Sequence, residues 1–253
     1  TFLDAEGNEI RTFSSKAPEP AGDGQDEAPK DPCVPAKAGL NRFVWDMRYP
    51  APTRVEGYAT PEAKVPGPLA KPGRYQVRLT VGDRTWTESF EIVKDPRVSA
   101  TQEDFDAQFA LLLQIRDKLS QTHEAVNRIR AIKRQVEDWG KRTEGLPIHE
   151  EVERSGKTVA DRLTAIEEDL IQVKAKVRED ALNYPLKLNA KLGALMGVVA
   201  SADARPTRQA VELFAELSRQ VDDCLGRLDE VVKTDVAAFN GVLRDAGIPP
   251  VVA

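Results

Sequence analysis

Two hydrophobic periods, one after the other, place this chain in the α+β multidomain class. A small antiparallel Ig-like β-sandwich over residues 1–97 precedes a long antiparallel three-rod helical bundle over 98–253. Three observations carry this reading. Apolar residues alternate at every second position in several short runs before Val98. Beyond Val98 they recur at steps of three and four almost to the C-terminus. The alternating runs are separated by long Pro-rich connections, at 14–39 and 50–72, of the kind that link sandwich strands.

Residues 1–13 read as a hairpin, with Phe2 and Leu3 before a turn containing Gly7 and Asn8, and Ile10 to Phe13 after it. The stretch 14–39, rich in Pro, Ala, Gly, Asp and Glu, cannot bury enough apolar area to repay ordering and is expected to be a mobile surface excursion. A strand is expected over 40–49, where Phe43, Trp45 and Met47 alternate with Arg42, Val44 and Asp46. The clearest pair follows. Tyr75, Val77, Leu79 and Val81 share one face, Gly82-Asp83 supplies the turn, and Trp86, Phe90 and Ile92 form the inward face of the return strand. Glu88 falls on that apolar face and spoils the alternation, which places it near a sheet edge or reaching to water. Phe43, Trp45, Tyr75, Trp86 and Phe90 are the expected core, because inward aromatics at period two are ordinary packing rather than a carbohydrate platform.

The helical half opens after Asp95-Pro96-Arg97, with Ser99 or Thr101 as cap. Helices are expected at about 102–139, 158–182, 186–200 and 207–246. The first carries Phe105, Phe109, Leu112, Ile115, Leu119, Val126, Ile129 and Val136, a rod of about 55 Å. The second shows the most regular seam, Val159, Leu163, Ile166, Leu170, Val173 and Val177, and breaks near Pro185. The last starts at Pro206-Thr207 and carries Val211, Phe214, Leu217, Val221, Leu225, Leu228, Val232, Phe239 and Leu243. Three rods of similar length fit an up-down-up arrangement.

Composition narrows the function classes. The 253 residues, 41% hydrophobic and 30% charged, suffice for two modest cores. A net charge of -5 and a pI near 5.3 oppose nucleic-acid binding, which needs a basic excess. No apolar run approaches the roughly 18 to 20 residues of a membrane span. No signal peptide opens the chain, which begins at Thr1, without Met and inside a strand, and reads as a piece of something larger. Cys33 and Cys224 are too sparse for a disulfide scaffold; two unpaired thiols are the plain reading, with a bridge between them left open.

No set of residues specifies bond chemistry, so the expected catalytic, cofactor and metal residues are none. Ser155-Gly156-Lys157-Thr158 resembles the end of a phosphate loop, but Glu151 stands where that motif needs Gly, and no strand precedes it. His149 beside Glu150 and Glu151 lacks a second His one helical turn on, and His123 is alone on a helix. Asp83-Arg84-Thr85-Trp86 is similar to part of the aspartate turn of sialidase-type blades, yet a hairpin turn explains it. Arg128, Arg130, Lys133 and Arg134 read as a solvated helix face.

Several strings together resemble one group of proteins. These are Gly7-Asn8-Glu9-Ile10-Arg11-Thr12-Phe13, Gly39-Leu40-Asn41-Arg42-Phe43-Val44-Trp45-Asp46-Met47-Arg48-Tyr49, Pro72-Gly73-Arg74-Tyr75-Gln76-Val77-Arg78-Leu79 and Lys94-Asp95-Pro96-Arg97-Val98, continued by Asn183-Tyr184-Pro185, Lys187-Leu188-Asn189, Ser201-Ala202-Asp203, Pro206-Thr207 and Phe239-Asn240. The chain resembles the C-terminal region of large bacterial β-propeller proteins with sortilin-like or neuraminidase-type repeats, often labelled glycosyl hydrolases. In such proteins an Ig-like module similar to flagellar-hook-capping domains precedes a helical tail. The resemblance implies an exported protein, periplasmic, cell-surface or secreted, with the propeller upstream. It transfers no hydrolase residue here, since every blade is missing.

The expected function is a non-catalytic accessory, scaffolding and protein-interaction region. Its partners would be the upstream propeller of the same chain, and a homo-oligomer or protein partner through the helical bundle, with no nucleic acid and no membrane span. One alternative is a contribution to a glycoside-hydrolase-type site at the propeller interface, with Glu62, Asp83 and Asp203 as candidate acids. Another is glycan or peptide binding through the sandwich face or its open edge.

Overall fold

The computed structural model describes residues 1–16, 31–57, 65–175 and 177–252. Parts of both Pro-rich connections, 17–30 and 58–64 with Glu62, therefore lie outside the described residues. The fold is α+β: a small four-stranded antiparallel sheet followed by packed helices.

Strands β1 (Phe2–Leu3), β2 (Glu9–Arg11), β3 (Gly73–Val81) and β4 (Arg84–Ile92) lie in the order β2-β1-β3-β4. The first turn closes because Asp4 accepts hydrogen bonds from the Asn8 amide at 2.7 Å and its side chain at 2.9 Å, while Gly7 takes φ 86°. Between β3 and β4 only Gly82 of the two linking residues has positive φ, 58°, which makes a type II′ turn.

Segment 40–49, expected as a strand, forms no ladder. Its one bridge joins Arg48 to Leu69, because Met47 at φ 56° interrupts the extended run. The alternation of Phe43 and Trp45 nevertheless has a cause. Trp45 stacks on Phe2 at 4.4 Å and meets Tyr75 and Phe90 edge-on at 6.3 Å, so the segment lies over the sheet face instead of beside it. Tyr75, Ile10 and Ala70 are buried under this cluster.

Helix α1 (Gln102–Arg142) is capped by Thr101, whose side chain accepts from the Asp104 amide while Asp104 returns a bond to the Thr101 amide. Its 41 residues make a rod of about 60 Å. It packs against α2 (His149–Leu170), α3 (Leu188–Val199) and α4 (Arg208–Val231), and its apolar face is correspondingly broad, with Ile115, Leu119, Val126, Ile129 and Ile132 fully buried.

Helix α2 starts at His149, earlier than expected. Gly156 is not a breaker but a seam residue: a Cβ there would sit 2.9 Å from Val136 Cγ1 and 3.3 Å from Phe239 Cε2. Val152, Gly156, Val159, Leu163, Ile166 and Leu170 thus form one seam at steps of four and three. The helix stops at Leu170, well before Pro185, because Ile171 turns extended and both neighbours become fully buried. A straight helix points consecutive residues about 100° apart and would carry Ile171 off that seam. Val177, expected on the seam, is exposed. A 3₁₀ turn (Arg178–Leu182) precedes Pro185 and α3.

Thr207 caps α4, and the rod continues through a π turn (Val232–Val236) into α5 (Ala237–Asp245). Burial steps along it from Leu217 to Val221, Cys224, Leu228 and Val231, then five residues to Val236, then Phe239 and Leu243. A plain α-helix rotates a residue five positions on away from the seam. The π turn absorbs that extra residue and returns Phe239 to the core.

Candidate interaction surface and interdomain cleft

The Pro-rich segment before β3 is a strap laid along α1. Thr53 donates its amide to Ser120 Oγ at 3.1 Å and its hydroxyl to Glu124 at 2.9 Å. His123 Nδ1–H donates to the Thr53 carbonyl at 2.6 Å, Asn127 Nδ2 to the Arg54 carbonyl at 2.7 Å, and Arg130 Nη1 to the Glu56 carbonyl at 2.8 Å. Val55 enters the helical core between these bonds. Ser120, His123, Asn127 and Arg130 fall at helical spacing, so one polar stripe of α1 satisfies the backbone groups that a Pro-rich segment cannot pair within itself. That stripe was the available signal, and His123 belongs to it as a strap residue.

Between the strap, the end of β4, α1 and α3 lies a cleft of about 430 Å³. Phe105, Phe109 and Met196 line it, and the small residues Gly193 and Gly197 of α3, with Ala200 at its C-cap, leave it room. Gly67 permits the strap's return, because a Cβ there would stand 1.9 Å from the Tyr49 carbonyl oxygen. The volume suits a small ligand. Its cations, however, are already engaged. Lys71 contacts Asp106 at 2.5 Å, Lys94 donates to the carbonyls of Val98 and Ala100, and Arg48 donates to that of Gly67. Lys71 and Gln102 hold Asp106 below the ordinary carboxylate range, so it stays ionised and acts as a tether between strap and helix. Tyr49 packs edge-on against Phe109 at 4.8 Å, and burial pushes its hydroxyl up to about 12, so it remains protonated.

The basic cluster also has a structural use, which corrects the solvated-face expectation. Arg130 at 2.7 Å and Lys133 at 3.1 Å converge on Glu167 of α2, whose side chain is 6% exposed, and Arg128 reaches Asp229 of α4 at 3.3 Å. Three of the four cations therefore cross-link helices. His149 sits 3.4 Å from the Thr143 hydroxyl and 4.0 Å from Glu153, at the start of α2. Asp203 reaches the cleft rim, whereas Asp83 lies in the β3–β4 turn. No group of three or more metal-ligating side chains occurs among the described residues. Cys33 is exposed, and Cys224 is buried with its thiol pushed up by burial; both are free.

The largest departure from expectation is the outer half of the β3–β4 hairpin. Tyr75 and Phe90, at its base, lie under Trp45. Toward the turn, the same face carries Leu79 at 52% exposure, Val81 at 60% and Trp86 at 49%. Trp86, expected in the core, pairs across the ladder with Leu79 but no described residue covers it. Among the described residues the covering layer ends at Trp45, and the hairpin extends past it. β4 is also an edge strand among them, so a free backbone edge borders this apolar patch.

No protein-family model, curated protein or solved structure matches this chain. No helix among the described residues is long and apolar enough to cross a membrane.

Proposed function

We propose that this chain is a non-catalytic accessory and interaction region of a larger exported β-propeller protein, scaffolding the propeller and docking partners. The observation that carries this reading is the uncovered face of Leu79, Val81 and Trp86 beside the free edge of β4. A soluble module that leaves a cross-strand aromatic and two aliphatics in water presents a contact surface. The Ig-like sandwich is proposed on the support of the Trp45 segment, which lies over the sheet face as a second layer would. The three-rod bundle is proposed on the support of α1, of α2 with α3, and of α4 continuing into α5, packed around one core. Engagement of the cleft's cations by Asp106 and backbone carbonyls favours a structural over a catalytic use of that joint.

The test has two arms. The 253-residue chain is titrated against the separately expressed upstream propeller by calorimetry, and the intact parent carrying Asp83→Asn and Asp203→Asn is assayed on a panel of glycosides. Binding to the propeller, together with unchanged turnover in the double variant, is the expected result. A chain indifferent to the propeller, or turnover abolished by the two substitutions, overturns the reading in favour of a hydrolase site at the interface.

A further inference from the structure

The free edge of β4 carries a self-complementary pattern. Two residues join β3 to β4, so the flanking pair Val81 and Arg84 exchanges backbone hydrogen bonds across the hairpin, as do the alternate pairs Leu79 with Trp86 and Val77 with Glu88. The amides and carbonyls of Thr85, Thr87 and Ser89 consequently face away from β3, and no strand lies beyond β4 among the described residues.

We infer that two copies of this chain pair antiparallel through β4, with Trp86 on the two-fold axis and Arg84 of each copy opposite Glu88 of the other. Backbone geometry allows this register: Thr85 of one copy meets Thr87 of the other, and both carry outward hydrogen-bonding groups. Trp86 then meets its own counterpart at a non-hydrogen-bonded position, where side chains of facing strands come closest. Charge selects it over its neighbours. An axis at Glu88 sets two carboxylates against each other, and an axis at Thr87 sets Trp86 against Glu88 and Arg84 against Phe90. Centring on Trp86 pairs opposite charges twice and buries no like pair. Shape agrees, because Leu79 and Val81 share the face of Trp86, so pairing joins two exposed patches into one apolar stripe crossing the axis. Glu88, out of place on a strand's apolar face, becomes the residue that fixes the register. A two-fold contact of this kind closes on itself and leaves no β4 edge free, while β2 remains the outer strand on both sides. This inference rests on reading the hairpin as a contact surface, and it names the partner.

Sedimentation of the 253-residue chain from about 1 to 100 µM tests it. The expected result is reversible dimerisation that weakens at least about tenfold with Arg84→Glu or with Glu88→Arg, and returns to within about threefold when both are combined, as facing charges require. In a Cys33→Ser background, Trp86→Cys is expected to oxidise to a covalent dimer, since facing residues at such a position lie within disulfide reach. A monomer at every concentration overturns the inference, as does a dimer indifferent to the single charge reversals or not rescued by the double. A monomer that still binds the propeller would overturn the self-pairing and leave the accessory reading standing.

Discussion

Helix α2 and strand β3 obey equally regular apolar patterns, yet only one of them is covered along its whole length. Along α2, residues at steps of four and three reach nearly complete burial, because α1, α4 and α5 stand opposite them. Along β3, alternation is just as strict, but burial falls from Tyr75 to Val81 as the chain passes beyond Trp45. Periodicity reports which face a residue occupies. Whether another element covers that face is decided by partners far away in sequence.

Substitutions in the two regions should diverge accordingly. The largest effect belongs to Phe239→Ala, which empties a fully buried site touching α2. It should cost about 3–5 kcal/mol, read from the urea midpoint. Gly156→Val should cost about 1–3 kcal/mol, because its Cβ alone already meets Val136 and Phe239. Glu167→Gln leaves Arg130 and Lys133 facing an uncharged amide between α1 and α2 and should cost about 1–3 kcal/mol by the same measurement. Trp86→Thr, on the exposed hairpin, should change monomer stability by no more than about 0.5 kcal/mol; a loss like that of Phe239 would mean that the hairpin face is covered after all.

Acid should act on the start of α1, where Asp106 ties it to the strap and Asp104 ties it to the segment before α4. Asp104 is held below its ordinary value by the Thr101 amide and Arg205, and Asp106 by Lys71 and Gln102. Carboxylates lowered in the folded state bind fewer protons there than in the unfolded chain. Their contribution is therefore complete above about pH 4 and lost as pH falls through their folded values. Unfolding midpoints at about pH 6 and about pH 3 should differ less in Asp104→Asn/Asp106→Asn than in the parent chain.

Much of this was legible in the residues. Gly82-Asp83 marked the turn, Ser99 or Thr101 marked the start of α1, with Thr101 the residue that caps it, and Pro206-Thr207 marked that of α4. Of the strap, only the polar stripe of Ser120, His123 and Asn127 was visible; the Pro-rich segment read as a plain loop, and such a stripe looks like any solvated face until something lies on it. The second helix was expected from about 158, and its start at His149 brings Gly156 into the seam, where the missing side chain is a packing device. The sequence pattern set Val232 on the last stripe, whereas burial runs from Val231 to Val236, a step of five that only the π turn accommodates. As for the contact surface, Glu88 was the one residue that violated its pattern, and nothing in the sequence said that the neighbouring Trp86 would be left in water.

Hydrogen exchange at the free edge, followed residue by residue at low and high chain concentration, separates the two regions most directly. Thr85 and Thr87 amides should exchange freely when dilute and gain protection as concentration rises, while those of Trp86 and Glu88, already bonded to β3, should not change. If Thr85 and Thr87 stay unprotected throughout the range, the edge pairs with no second copy.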